Sequence, residues 1–365
     1  MKTTITKAAL AEAAQAVRGL VSKDGLSAFS RVRLDAVGPN VSLTGSNGDI
    51  QILCRFKGET ERDGAVTLPG MLFWRFVGAM PEGKVEIERE PLKTLARLSG
   101  SEGVKFRLVA GNPEDLPPMA PPKDEAEVHV PELMLREMLR KTMFAASTDT
   151  TRAALCGVNV HWKGDLLEMT ATDGRRLAHV EHEVDRGEGF DFTLPLRAVQ
   201  VLWGLLEADS DETLTVKSDG RSVQIVGDSC LFTSKVSDTV YPGWRKVVPE
   251  KCAHEARIGR TRFLDALDRA ALAAGEDCSV KMTLKNGCIL FDARSDLSAA
   301  STGMAACEMD DGLKEEFHFN PRLLKDALEA LDEDEFTLHF DNGASPVKLT
   351  CSIPWLAVVM PLQKK

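Results

Sequence analysis

No run of about 18 apolar residues, the length that a membrane-spanning helix needs, occurs in this chain. Its start, MKTTITKAALAEAA, has no continuous apolar core of the kind a secretory leader carries. A spanning protein is therefore not expected, and the cytoplasm is the expected compartment. Paired cysteines are missing too. Cys54, Cys156, Cys230, Cys252, Cys278, Cys288, Cys307 and Cys351 are scattered, with no CxxC spacing and mostly apolar neighbours, which argues against a zinc site or a disulfide framework. The chain has no GxxxxGK[ST], no GxGxxG after a strand, no GxSxG and no HExxH, so neither a cofactor nor a metal is expected. Nor is there an excess of positive charge. With 45 Lys and Arg against 55 Asp and Glu, the net charge of −10 excludes a uniformly basic protein that coats nucleic acid.

What is present is a repeat. The 365 residues, 43% of them hydrophobic, suffice for two or three domains of roughly 100 to 200 residues each. The segment TLPGMLFWRFVGAMPEGKVEIERE, with Pro69, is echoed by TLPLRAVQVLWGLLEADSDETLTVKS, with Pro195, and by HFNPRLLKDALEALDEDEFTLHFDN, with Asn320 at the corresponding place. Positions 69, 195 and 320 are 126 and 125 residues apart. Each copy reads as an extended pair, a cap or helix-starting proline, a helix of about ten residues, an acidic turn and an alternating strand. Proline-bearing stretches at Leu116-Pro117 and Tyr241-Pro242 suit domain exits. The expected domains are 1–122, 123–249 and 250–365.

A second helix opens each third. Apolar residues fall at i, i+3, i+4, i+7 in Leu10, Ala13, Ala14, Val17, in Leu135, Met138, Leu139, Thr142 with one lapse, and in Phe263, Ala266, Leu267, Ala270. Between the helices run short alternating stretches such as RVRLDAV, GVNVHW, SVQIVG and CILFDA. The expected fold class is α+β with antiparallel sheets, three times over.

One cluster could carry catalysis. Asp173, His179 and His182 offer a base, an orienter and metal-ligand atoms, and a metal-dependent hydrolase is the enzymatic alternative. LAHVEHEV alternates like a strand, however, so i and i+3 point to opposite faces and do not converge on one ion. Asp173-Gly174 reads first as a hairpin turn, with Arg175 and Arg176 following it.

Five stretches together resemble a known family. ATDGRRLA at 171–178, TVYPGWRKVVP at 239–249, FLDALDRAALAAGE at 263–276, FNPRLLKDALEAL at 319–331 and VVMPLQKK at 358–365 are similar, in order and over the whole chain, to the bacterial DNA polymerase III β subunit, the sliding clamps. The resemblance implies a homodimeric ring of six clamp domains, helices lining the hole and antiparallel sheets outside, with no enzymatic activity. It implies double-stranded DNA, encircled without sequence preference, and a polymerase and clamp-loader subunits bound through short hydrophobic peptides. A closed ring would hold DNA without tight phosphate contacts, which fits the acidic composition. A clamp-like protein without ring closure, binding partners only, is the other alternative.

Carried onto this chain, the peptide pocket comprises Leu155, Thr172, Gly174, Arg175, Arg176, Leu177, Pro242, Val247, Asn320, Leu323, Val358, Met360, Pro361 and Leu362. Arg75, Arg136, Arg140, Lys141, Arg152 and Arg197 are expected to face DNA. Phe106 and Leu108, with Leu272 and Ala273 opposite, are expected at the dimer interface. Asp24 stands where a basic residue is common in the family, Cys278 where an aromatic is usual, and Leu323 where a tyrosine is usual.

Overall fold

The computed structural model describes residues 1–24, 27–89, 94–123, 126–274, 279–294, 300–310 and 312–362, with the side chain of Glu188 also left aside. Cys278 and the tail residues 363–365 lie outside the described residues.

The first copy runs β1 (Lys2–Thr6), α1 (Lys7–Arg18), β2 (Arg31–Val37), β3 (Asn40–Ser46), β4 (Ile50–Lys57), β5 (Glu59–Arg62), β6 (Gly64–Pro69), α2 (Gly70–Gly78), β7 (Lys84–Arg89), β8 (Leu95–Ser99) and β9 (Lys105–Val109). The second runs β10 (Ala126–Pro131), α3 (Glu132–Met143), β11 (Gly157–Thr172), β12 (Arg176–Pro195), α4 (Leu196–Trp203), β13 (Thr213–Ser218), β14 (Ser222–Val226) and β15 (Cys230–Lys235). The third runs β16 (His254–Gly259), α5 (Arg260–Ala271), β17 (Val280–Lys285), β18 (Cys288–Arg294), β19 (Ala300–Met309), β20 (Lys314–Phe319), α6 (Pro321–Glu329), β21 (Glu335–Phe340), β22 (Val347–Thr350) and β23 (Trp355–Val359).

The repeat is one of pairing as well as order. In each copy the opening strand pairs antiparallel with the strand after the second helix: β1 with β7, β10 with β13, β16 with β21. The second copy fuses its middle strands into the long β11 and β12, whose register breaks at Trp162, Gly164 and Leu166. The last strand of the second copy, β15, pairs with β4 of the first, and the last strand of the third, β23, pairs with residues 176–180 of β12.

Those joints explain how the chain divides into compact units. One unit comprises residues 1–133 and 204–236, the other 134–203 and 237–365, so the second copy contributes one sheet to each. The first unit holds a five-stranded sheet, β5-β1-β7-β8-β9, and an eight-stranded one, β10-β13-β14-β15-β4-β3-β2-β6. The second holds a ten-stranded sheet, β11-β12-β23-β22-β21-β16-β19-β18-β17-β20.

The helices form where the apolar periodicity places them. Leu10, Ala13, Ala14 and Val17 are the buried face of α1, and Phe263, Ala266, Leu267 and Ala270 that of α5. In α3 the one lapse is accommodated, because the buried Thr142 hydroxyl donates back to the Met138 carbonyl at 2.8 Å. Thr6 caps α1 and Asn320 caps α6, each side chain accepting from an amide of the first turn, and Pro321 follows Asn320 as the first helical residue. Phe263 meets Phe291 and Phe336 edge-on at 5.0 and 5.2 Å, and full burial of each ring contributes roughly 1.5–3 kcal/mol. Gly303 in β19 allows α5 to approach, since a Cβ there would stand 2.1 Å from the Ala266 carbonyl oxygen. Gln51 fastens the proline-bearing exit from the first copy, donating to the Pro117 carbonyl and accepting from the Met119 amide.

Candidate functional site

The tight turn between β11 and β12 is built by Asp173 and Gly174. Gly174 has a φ of +84°, which favours glycine. The Asp173 carboxylate accepts from the amides of Arg175 and Arg176 at 2.8 and 3.0 Å and from Arg176 Nε at 3.1 Å. Its oxygens thus hold the turn and its arginine in place. The Thr172 hydroxyl closes the turn, donating to the Arg176 carbonyl at 2.6 Å and accepting from the Gly174 amide.

Strand pairing brings distant residues to this turn. Arg176 lies opposite Val359 and Leu177 opposite Val358, and beyond β23 the Met360 amide donates to the Arg175 carbonyl at 2.8 Å. The chain end is then fastened by Leu362, whose amide donates to the His318 carbonyl at 2.6 Å, near the end of the strand β20 that leads to α6. From α6 itself Asp326 accepts from Arg176 Nη1 at 2.5 Å. On the other flank Arg152 Nη1 donates to the Asp173 carbonyl at 3.0 Å, and the Leu155 carbonyl accepts from Ser147. On the Arg152 side of the turn lies a cleft of about 540 Å³, bounded by Met143, Phe144, Arg152, Arg175, Arg176 and Leu196; of the expected pocket residues it is lined by Arg175 and Arg176 alone.

Burial sorts the expected pocket residues. Leu177, Val358 and Pro361 are buried, whereas Met360, Leu362 and Val247 expose 41%, 37% and 58%. Leu155, Asn320 and Leu323 are half-buried, and Pro242 is exposed. The short helix Trp244–Val247, between Pro242 and the third copy, is held by other residues. Trp244 packs on His179 with ring centroids 4.4 Å apart, and Arg245 forms an ion pair with Glu168. Sequence reading missed Phe144, Asp326, Trp244 and Glu168. Phe144 follows an amphipathic helix and carries no motif, and the other three act through partners 65 to 150 residues away in a chain where spacing shows only local neighbours.

The hydrolase constellation does not assemble. Glu168 and Glu181, opposite one another in β11 and β12, gather with His179 so that one ligand atom from each lies within 4.8 Å of the others. Neither Asp173 nor His182 takes part, and the Arg245 guanidinium already sits on Glu168. Burial pushes the His179 imidazole below its ordinary pKa, against the pull of Glu168 and Glu181. It is a buried ring in an ion-paired cluster.

The expected DNA-facing cations fare unequally. Arg75 and Arg197 are exposed on α2 and α4. Arg136 stacks on the Trp203 ring at 4.6 Å, and Arg140 forms ion pairs with Glu137 and Asp332. Lys141 departs from the expectation: it is 8% exposed and lies 3.7 and 3.8 Å from the Glu137 and Glu333 carboxylates, with its charge turned inward. Arg152 is likewise a wall of the cleft. Even so, α1 to α6 carry twelve Lys and Arg against seven Asp and Glu, a net of +5 on a chain of net −10.

The expected interface residues are also sorted by burial. Leu108 and Ala273 are buried within the chain, and Phe106 stacks on Phe76 with centroids 4.3 Å apart. Leu272 alone of the four stands out, 87% exposed.

Three family models match in succession: the DNA polymerase III beta subunit N-terminal domain over residues 1–120, its central domain over 129–243 and its C-terminal domain over 245–354. The beta sliding clamp of Synechococcus elongatus is 30% identical over 342 residues, covering 90% of this chain and 89% of that protein. That of Bacillus subtilis is 28% identical over 363 residues, covering 95% and 94%. The crystal structure of the Bacillus subtilis DNA polymerase sliding clamp superimposes with a TM-score of 0.94 at 25% identity over the full length of both chains. The beta subunit from Streptococcus pyogenes, at 18% identity and the same TM-score of 0.94, shares the fold. With a repeat of three clamp domains and family matches that run from one end to the other, the chain belongs to the DNA polymerase III beta subunit family.

Proposed function

We propose that this protein is a DNA sliding clamp, a non-catalytic cytoplasmic tether that encircles duplex DNA as a head-to-tail homodimer and holds a polymerase and other replication or repair proteins to it. The observation that carries this reading is the pattern of strand joints. The last strands of the second and third copies each pair with the fourth strand position of the copy before, β15 with β4 and β23 with the start of β12, the long β11 filling two positions. By that pattern β9, the last strand of the first copy, calls for a fourth strand, which in the third copy is residues 300–306 of β19. Among the described residues β9 is an edge strand, and residues 300–306 pair on one side only, with β18. Two chains joined β9 to β19 twice would leave no free edge at either joint. Exposed Leu272 and Met304, 87% and 62% accessible, are the apolar side chains that such a joint would cover.

The proposed domain boundaries are residues 122 and 249. The net +5 of the helices supports their facing DNA, with Arg75 and Arg197 as the exposed cations, while the acidic remainder avoids adhesion. The proposed partner site is the cleft and apolar rim around the Asp173-Gly174 turn. Met360, Leu362, Val247, Leu323 and Leu155 would desolvate leucine or phenylalanine anchors, and Arg152, Arg175 and backbone amides would meet the polar ends.

Loading the protein onto nicked circular DNA and then cutting the circle tests the reading. The expected result is stable retention on circles and release within seconds of linearisation. Equal retention on circular and linear DNA, or a monomer at micromolar concentration, would favour a partner-binding protein without ring closure.

A further inference from the structure

We propose that Cys54 and Cys230 are a dithiol that closes into a reversible disulfide across the joint between the first two clamp domains, with a low-molecular-weight disulfide as oxidant. Their sulfurs are 3.2 Å apart, in van der Waals contact and unbonded. Cys54 in β4 lies directly opposite Cys230 in β15. The adjacent pair, Arg55 and Ser229, is joined by a backbone bond from the Arg55 amide to the Ser229 carbonyl at 2.6 Å, so Cys54 and Cys230 occupy a non-hydrogen-bonded position. There, facing Cα atoms approach to about 4.5 Å, inside the range a disulfide spans, and the bond can form without moving the strands. Nothing else in the first unit duplicates this geometry among its described residues.

The two thiols are unequal. Cys54 is buried, 4% exposed, whereas Cys230 is half-buried and open to a small reagent. A hydrogen bond from Cys54, helped by Ser229, favours the Cys230 thiolate, and the same contact with burial pushes the Cys54 thiol up. Cys230 is therefore the attacking sulfur. Its thiolate displaces one thiolate from the oxidant, RSSR, forming a mixed disulfide. Cys54 then loses its proton, attacks Cys230 Sγ and expels the second RS⁻. The protein dithiol is oxidised by two electrons, RSSR is reduced to two RSH, and both protein protons end on the released thiols. In a reducing cytoplasm the pair rests as thiols, and a shift towards oxidised glutathione closes it. The bond would staple β15 to β4 at the one joint, of those described, that links the first copy to the second.

The test equilibrates the full-length protein in glutathione buffers from fully reduced to fully oxidised, quenches in acid, alkylates under denaturing conditions and reads intact mass and peptides. The expected product lacks two hydrogens, yields a cross-linked peptide containing Cys54 and Cys230, reverts with dithiothreitol, and exchanges amides at 50–54 and 230–234 about tenfold or more slowly. C54S should instead accumulate a glutathione adduct on Cys230. Both thiols still alkylating in fully oxidised glutathione, a stable adduct on wild-type Cys230 without cross-linking, or a disulfide between chains would each overturn the proposal. If C54S does not fold, the wild-type mass decides alone. None of these readouts depends on clamp activity.

Discussion

Arg176 and Asp326 meet at 2.5 Å, joining the Asp173-Gly174 turn to helix α6. The Arg176 guanidinium also grips Asp173, so one side chain fixes the two elements that frame the proposed pocket. Arg176→Ala should cost about 1–2 kcal/mol in urea unfolding and weaken a QLxLF-type peptide by roughly tenfold, about 1.4 kcal/mol. Asp326→Asn should be milder, because Asp326 is more exposed. A double-mutant cycle by peptide titration should show coupling above about 0.5 kcal/mol; strict additivity would show that the ion pair does not shape the pocket.

The proposed joint between chains makes a separate demand. Leu272 and Met304 are exposed in the chain alone, so charge there does not disturb its core. Leu272→Asp with Met304→Asp should leave circular dichroism unchanged and convert a dimer into a monomer by light scattering, because burying unpaired carboxylates at the joint costs several kcal/mol. A persistent dimer would place the interface elsewhere. Leu108 and Ala273 are poor choices for this test, since their substitution opens the core.

Local patterns were the legible part. The four apolar positions of α1 and of α5 are legible from spacing because a helix face is set by residues three and four apart, and the Asp173-Gly174 turn because Asp-Gly demands a particular backbone. The long β11 and β12 were not foreseen as single strands: their register breaks around Gly164 leave a sequence that reads as four short stretches. The burial of Lys141 is hidden from the sequence for a similar reason. Its position in the last turn of α3 resembles that of Arg140, and its inward turn depends on Glu333, 192 residues away. The sharing of the second copy between two units follows from β15 on β4 and β23 on β12, pairings that no local pattern encodes.

The helix charges should therefore not contribute equally to DNA handling. Arg75→Glu with Arg197→Glu should reduce retention on circles at 150 mM salt and flatten the dependence of loading on salt, each lost phosphate contact lowering the slope by about 0.9. Lys141→Met should leave both unchanged while lowering stability, because it strips a buried cation from Glu137 and Glu333. If Lys141→Met impairs retention as much as the two reversals, the charge of Lys141 reaches the DNA after all.

Acid sensitivity should begin with histidines. Burial pushes His179, His182 and His339 below their ordinary value, with Lys141 adding to the effect on His182 and Lys348 on His339. Around His179, Glu168 and Glu181 pull upward and Arg245 downward, and burial outweighs the carboxylates. The folded protein then binds fewer protons than the unfolded chain below about pH 6.5, the ordinary histidine value. The stability from these neutral rings is complete above that pH and is lost as pH falls through the depressed folded values. Unfolding free energy measured in urea should thus decline between pH 7 and pH 5. His179→Gln should flatten that decline by up to one proton's worth, roughly 1.4 kcal/mol per pH unit, because glutamine can keep the bond with Thr170, now 2.9 Å from His179 Nδ1, without titrating. An equal slope in wild type and His179→Gln would mean that the buried ring takes up its proton without unfolding, with Glu168 and Glu181 absorbing the charge.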